Sequence, residues 1–322
     1  MNGKFEIGLL LDSGGNVNQS VELAVLAEKN GYQTVWANGN ILGRDPITVL
    51  SMIAARTSRV RLGPNVMDAY MRHPMTIASS LATINDASNG RAILGLGTAY
   101  VEALNKIGVE RALPLTRCRE IIQLVRALQS GESVTLSGSV FHFKNAKFGF
   151  ETRGKVPIYM GTGQGPNVLR FAGEMCDGAI MSETTDEKYK ERVALIREGQ
   201  SNTTKKNDFN IILDTMISVG KTTKEAVDAL RPWMKTRIGK KSGAVGVIGL
   251  SQETASKYVD DPSTIPEEYM QRFAVCGTLD ECLDRIQELK KIGVTGLAHR
   301  YPTEKGVKEV SAALIPALTV NV

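Results

Sequence analysis

From Phe5 onward, short runs of β-branched and aliphatic residues alternate with longer stretches whose apolar positions recur at helical spacing. This is the order that parallel βαβ units require, each short run a strand and each longer stretch its crossover helix. Phe5 to Leu11 reads as the first strand, and the helix after it, from about Asn18 to Asn30, stops at Gly31, where a left-handed C-cap favours glycine. Thr34 to Ala37 is the second strand. Asp45-Pro46 then opens a helix that runs to about Thr57, with an N-cap followed by a proline whose missing N–H is harmless at the first helical position. The strand Val60 to Gly63, a helix from Pro74 with Ile77, Leu81 and Ile84 along one side, and the strand Ala92 to Gly97 complete half of the pattern.

A helix over Leu115 to Gln129 is followed by Ser133 to Phe150, where valine and phenylalanine alternate with polar residues about Ser137-Gly138, as in a β-hairpin. Further strands fall at Val156 to Met160, Gly178 to Met181, Ile211 to Val219 and Val294 to Ala298. Helices begin at Pro166, at Asp186 and after Thr278, where Thr278 and Glu281 form a capping box and the helix runs to Gly293. The stretch Lys221 to Ala274 is too long for one crossover and contains Pro232, Pro262 and Pro266, so it predicts several short helices. The whole reads as one α/β domain over residues 1–322. It is a TIM (β/α)8 barrel with an inserted hairpin and a helical insertion before the last unit, although a doubly wound open sheet would give the same alternation.

Composition narrows the function. The net charge is +5, but Lys and Arg are scattered among acids without an aromatic-interleaved basic stripe, which argues against nucleic acid. The four cysteines form no CxxC pair and read as reduced and buried. No apolar run reaches membrane-spanning length and residues 1–11 build no signal h-region, so a cytoplasmic protein is expected. His73, His142 and His299 lack metal-site spacing. Neither a GxSxG elbow nor a carboxylate pair stands out, so hydrolysis is disfavoured and a cofactor is expected to carry the reactivity.

In a barrel the loops after the strands share one face, and those spanning Trp36–Asp45, Gly63–His73, Gly97–Tyr100 and Gly161–Asn167 are unusual in composition. Met160 to Pro166 runs a glycine-rich strand end into a helix N-terminus, either a tight βα turn or a phosphate cradle with Thr162 and Gln164 as side-chain donors. Gly95-Leu-Gly97-Thr-Ala-Tyr100 is a strand-end turn that lets a planar ring approach the backbone at Gly97 to Ala99. In Tyr70-Met-Arg-His-Pro74, Arg72 is placed to meet an anion, and His73 either shuttles a proton or bonds the loop at its helix start.

These segments resemble, in order and over most of the chain, the bacterial-luciferase-like superfamily, and most closely its deazaflavin branch that includes methylenetetrahydromethanopterin reductase. The resemblance is carried by Gly31 to Trp36, Gly43-Arg-Asp45, Leu62 to Val66, Tyr70 to Pro74, Gly90 to Gly97, Pro157 to Gly161, Gln164-Gly-Pro166 and Ala172 to Gly178. It implies a homo-oligomeric barrel moving a hydride between coenzyme F-420 and a carbon of a small pterin-like substrate. A non-prolyl cis peptide behind the deazaflavin ring is implied at Asn65-Val66. The implied ring contacts are Asn38, Gly39, Asn40, Gly63, Asn65, Val66, Gly97, Thr98 and Ala99, with the phosphate at Gly161, Thr162, Gly163, Gln164, Gly165 and Pro166. Asn40 and His73 are the candidate catalytic positions. The chain departs from the family where an acid followed by His or Glu gives way to Asn38-Gly39-Asn40, where a strand-1 acid falls on Gly8, and where Thr98-Ala99 replaces another acid. Two other readings stay open: an FMN-dependent monooxygenase on the same barrel, and a cofactor-binding barrel that has lost its reaction.

Overall fold

The computed structural model describes residues 5–163, 165–201, 203, 209–239 and 250–320. Its principal sheet is parallel and wraps on itself. The strands are β1 (Glu6–Leu11), β2 (Thr34–Asn38), β3 (Arg61–Asn65), β4 (Met67–Asp68), β5 (Leu94–Gly97), β8 (Ile158–Thr162), β9 (Gly178–Ser182), β10 (Asn210–Thr215) and β13 (Gly296–Arg300). Hydrogen bonding runs β3-β2-β1-β13-β10-β9-β8-β5-β4. β3 and β4 are two halves of one stave broken at Val66, and a bridge between Leu62 and Ala92 joins that stave to the β5 side. The result is an eight-stave TIM barrel, and the open-sheet alternative falls away.

Strand side chains alternate between two environments. Ile7, Leu9 and Leu11 of β1 point outward into the main core beneath the helices, while Leu10, Trp36, Ile93, Tyr159, Ile180 and Ile212 fill the barrel interior. The interior positions one step further along the staves form the rim of the mouth: Asn38, Asn65, Gly97, Ser182, Asp214 and Arg300.

The outer ring holds α1 (Val17–Lys29), α2 (Pro46–Ala54), α3 (Pro74–Ala87), α4 (Val101–Asn105), α5 (Pro114–Gln129), α6 (Pro166–Met175) and α7 (Asp186–Ser201). The hairpin of β6 (Val134–Ser137) and β7 (His142–Ala146) lies where the alternation placed it. Asp45 caps α2 ahead of Pro46, and Thr278 and Glu281 form the expected capping box of α11 (Leu279–Ile292), which ends on left-handed Gly293.

The insertion corrects the sequence reading. Rather than several short helices it opens with α8 (Thr223–Gly239), which passes straight through Pro232. Val227, Leu230, Met234 and Ile238 form an apolar stripe there, buried in a second core, and that burial outweighs the one hydrogen bond the proline forfeits. α9 (Gln252–Asp260) and α10 (Glu267–Phe273) are short, as predicted. The expected strand Ile211–Val219 divides at Met216: β10 stays in the barrel, whereas β11 (Ile217–Val219) pairs with β12 (Val275–Gly277) and roots the insertion. α4, β12 and the last helix α12 (Glu304–Val320) had no counterpart in the sequence reading. All four cysteines are buried, and none is in a disulfide. No described helix is long and apolar enough to cross a membrane.

Candidate active site

One side of the rim converges on the side chain of Val66. The Asn65-Val66 peptide is cis, as the resemblance implied. Val66 stands between the two halves of its stave with its side chain over three glycines: a Cβ on Gly97 would lie 2.5 Å from Val66 Cγ2, one on Gly161 2.8 Å from the same atom, and one on Gly95 3.2 Å from Cγ1. Gly39 closes the fourth side. Its N–H donates to the Asn65 carbonyl at 3.1 Å, and a methyl group on its α-carbon would overlap the Val66 carbonyl. β2, β3, β5 and β8 thus approach one another with no side chain between them except Val66. A shelf of this kind presents backbone and one isopropyl group to whatever lies in the mouth, a surface suited to a flat ring.

The predicted cradle follows directly. β8 runs through Gly161 and Thr162, and α6 starts at Pro166 after the N-cap Gly165. Nothing lies within 4 Å of the space a Cβ would occupy on Gly163 or Gly165, so their backbone is open to an anion at the positive end of α6. Thr162 does not act as expected: its hydroxyl is buried and donates to the Ile180 carbonyl at 3.1 Å, because β8 alternation turns it into the wall. Gln164 lies outside the described residues.

Several other predicted residues are engaged locally. Asn38 Oδ1 accepts from Asn40 N at 3.0 Å, its Nδ2 donates to the Tyr301 hydroxyl, and Asn40 Oδ1 accepts from Leu42 N at 3.1 Å. Thr98 offers its carbonyl to Arg111 Nε at 2.8 Å, and Ala99 holds a left-handed φ of 58°. Gly63 backs onto Trp36 and Ile93 inside the barrel, beneath the rim. His73 is the exposed N-cap of α3, accepting from Met75 N at 3.3 Å, with its ring 5.8 Å from that of Phe143 in the hairpin. The loop-bonding reading of His73 therefore describes what its ring does here. Arg72 pairs with Asp45, which ties the loop to the α2 cap, so its charge is already partnered. His299 is buried against Tyr32, and burial pushes its imidazole down to about 3, so it stays neutral.

Sequence reasoning missed the far wall of the mouth. Arg300 contacts Asp214 at 2.7 Å and Glu183 at 3.4 Å, and Glu183 is held again by Arg237 of α8 at 2.8 Å. Burial opposes the charge on Glu183, but Arg300 and Arg237 outweigh it and hold the carboxyl below its ordinary range. For Asp214 burial prevails over Arg300, with Glu183 adding to the rise, and the carboxyl is pushed up to about 6. Five buried side-chain atoms among the described residues lack a hydrogen-bond partner, and four of them sit at strand ends in the mouth: Asn65 Nδ2, Thr184 Oγ1, Asp214 Oδ1 and Arg300 Nε. Buried polar atoms are rarely left unpaired without a functional reason. Leu42, Met71, Tyr100, Leu113 and Trp233 are the exposed apolar side chains of the loops and insertion around this opening. Among the described residues no group of three or more His, Cys, Asp or Glu could hold a metal ion.

Comparison with known proteins agrees with this geometry. A 5,10-methylenetetrahydromethanopterin reductase of Archaeoglobus fulgidus is 30% identical over 312 residues, covering 91% of this chain and 93% of the relative. An F-420-dependent glucose-6-phosphate dehydrogenase of Amycolatopsis mediterranei is 29% identical, covering 92% of this chain and 93% of its own. Among solved structures, the coenzyme F-420-dependent tetrahydromethanopterin reductase of Methanopyrus kandleri superposes with a TM-score of 0.88 at 25% identity, over 98% of this chain and all 100% of that one. The family model described as luciferase-like monooxygenase matches residues 4–296, and this chain belongs to that family.

Proposed function

We propose that the protein is an F-420-dependent oxidoreductase of the methylenetetrahydromethanopterin reductase type, acting on a small pterin-like substrate as a homo-oligomer. The observation that carries this reading is the Val66 shelf: glycines of three neighbouring staves closing on Val66, with the unpartnered Asn65 Nδ2 beside it. The residues present fit the cofactor. Val66 and Gly97 offer a flat apolar seat, Asn65 Nδ2 is a donor awaiting a ring oxygen, and Gly163, Gly165 and the α6 N-terminus offer N–H groups to a phosphate. Bound there, the deazaflavin supplies hydride chemistry at a single ring carbon.

The chain's own work is then positioning. The shelf fixes one face of the ring, so substrate approaches from the other, which is walled by Tyr301, Arg300 and Trp233. Tyr301 is anchored by Asn38 and its ring lies 6.2 Å from that of Trp233, so the insertion helix α8 reaches this side of the mouth. Relatives named for reduction of a tetrahydromethanopterin support the pterin class of substrate. The test is an anaerobic assay with chemically reduced F-420. Oxidation is expected on addition of methylenetetrahydromethanopterin, and in a parallel assay with oxidised F-420 no reduction is expected with glucose 6-phosphate; reduction by the sugar phosphate, with no oxidation by the pterin, would overturn the substrate assignment.

A further inference from the structure

The mouth lacks the acids expected at three places in the family pattern, and one of these places is crowded. A Cβ at Gly8 would meet Trp36 Nε1 at 3.0 Å and Cδ1 at 3.2 Å, so a side chain there requires the indole to shift. The loop after β2 carries asparagines, and Thr98-Ala99 follows β5. A reductase that opens a carbon–nitrogen bond must still deliver a proton to the nitrogen it releases.

On the far wall, β10 and β13 are adjacent parallel staves, with Asp214 opposite Ala298 in the register and Arg300 one inward step beyond. Asp214 is 8% exposed. Its Oδ2 is held by Arg300 at 2.7 Å, while Oδ1 is buried with no partner, and Arg300 Nε beside it is likewise unpaired. The charged and titratable groups facing this carboxyl come from each element packed on it: Glu183 after β9, Arg237 of α8, and Arg300 and Tyr301 at the end of β13, with Asp12 after β1 facing Tyr301. Two guanidiniums thus serve two carboxylates, and Glu183 is held by Arg237 through contacts at 2.8 and 3.1 Å and by Arg300 at 3.4 Å. Asp214 is the carboxyl left with an unused oxygen.

We propose that Asp214 is the acid of this site, its inward Oδ1 giving a proton to the substrate nitrogen released when a carbon–nitrogen bond is reduced. The proposal rests on the F-420 reading above. In the step, the carbon gains a hydride and is reduced by two electrons at the expense of the reduced deazaflavin. The electron pair of the breaking C–N bond goes to nitrogen, which takes the Oδ1 proton. Asp214 is left as a carboxylate against Arg300, and it is reprotonated from solvent, which also receives the proton that the cofactor loses on oxidation. A carboxyl pushed up to about 6 carries its proton in a useful fraction of molecules near neutrality.

The test uses full-length parent, Asp214→Asn and Asp214→Glu proteins. Asp214→Asn preserves shape and is expected to bind F-420 within about threefold of the parent, to keep KM for methylenetetrahydromethanopterin within about threefold, and to lose at least ~100-fold in kcat. Asp214→Glu, which restores a carboxyl, is expected to recover part of that loss with the acid limb of its pH profile displaced. An independent readout is carbon-13 NMR of aspartate-labelled protein without cofactor, where one carboxyl resonance absent from Asp214→Asn should titrate near pH 6. An unchanged kcat in Asp214→Asn, or an Asp214 resonance that titrates below pH 4.5, overturns the proposal. Failure of the parent itself to bind F-420 overturns the cofactor reading instead, and the NMR titration separates the two.

Discussion

Replacing Gly39 by alanine is expected to weaken F-420 binding at least ~100-fold, equivalent to about 2.7 kcal/mol, while leaving the barrel folded. The added methyl would coincide with the Val66 carbonyl oxygen, and both partners are backbone, so no side chain can swing away to make room. Either the β2 loop or the Val66 bulge must move, and overpacking of this kind costs ~1–3 kcal/mol where the backbone has to shift. Displacing the bulge moves Val66 off Gly97 and Gly161, and the seat for the ring is lost with it. Gly149 is the control, since nothing lies within 4 Å of its added Cβ and it is in the segment after the hairpin. Fluorescence titration of F-420 into Gly39→Ala and Gly149→Ala, with circular dichroism of each, makes the comparison. Equal affinity in both would show that the shelf does not seat the cofactor.

Arg300→Ala should have the largest effect on stability. Arg300 is the shared partner of Asp214 and Glu183, and removing one member of a buried ion pair leaves an uncompensated charge that costs ~3–5 kcal/mol. Glu183 keeps Arg237, whereas Asp214 keeps no ion pair among the described contacts. The pH dependence distinguishes this from a packing loss. Without Arg300 the buried carboxyl of Asp214 has a folded-state pKa further above its unfolded value near 4, so the folded state binds the extra proton as pH falls through that window. The deficit relative to the parent should therefore shrink between pH 7.5 and pH 5. In the parent, Glu183 behaves oppositely: its carboxyl is held low, so its contribution is present above the unfolded value and lost only as pH falls below it. Chemical denaturation of both proteins at the two pH values measures the difference, and a deficit that is constant or grows toward pH 5 would refute the electrostatic account.

Local chemistry explains what could be read in advance. The Asp45-Pro46 cap, the Thr278 capping box and the Gly293 stop are fixed by residues within one helical turn of each other, and all three stand where the residues placed them. The cradle's open glycines follow a short segment in the same way, whereas the bulge at Asn65-Val66 was legible only through the family resemblance. What escaped depends on partners distant in the chain. Pro232 read as a break because the second core that holds α8 together is assembled from the far side of the insertion. Asp214 and Arg300 lie on neighbouring staves but in separate units, and nothing in either segment announces the other. A signal was present: an acid on the inward phase of Asn210–Thr215, two residues after Ile212, is a charge in an otherwise apolar strand and asks for a buried partner. At His73 the residues left two readings open, since a position before a helix marks a cap as readily as a proton shuttle, and the cap is what its ring forms.

The central claim is that the glycine-walled Val66 shelf and the α6 cradle accept a deazaflavin, and parallel titrations of the purified protein with F-420 and with FMN test it most directly. The account predicts saturable quenching of F-420 fluorescence at one equivalent per chain, with FMN binding far more weakly. Tight FMN binding with none for F-420 would contradict it.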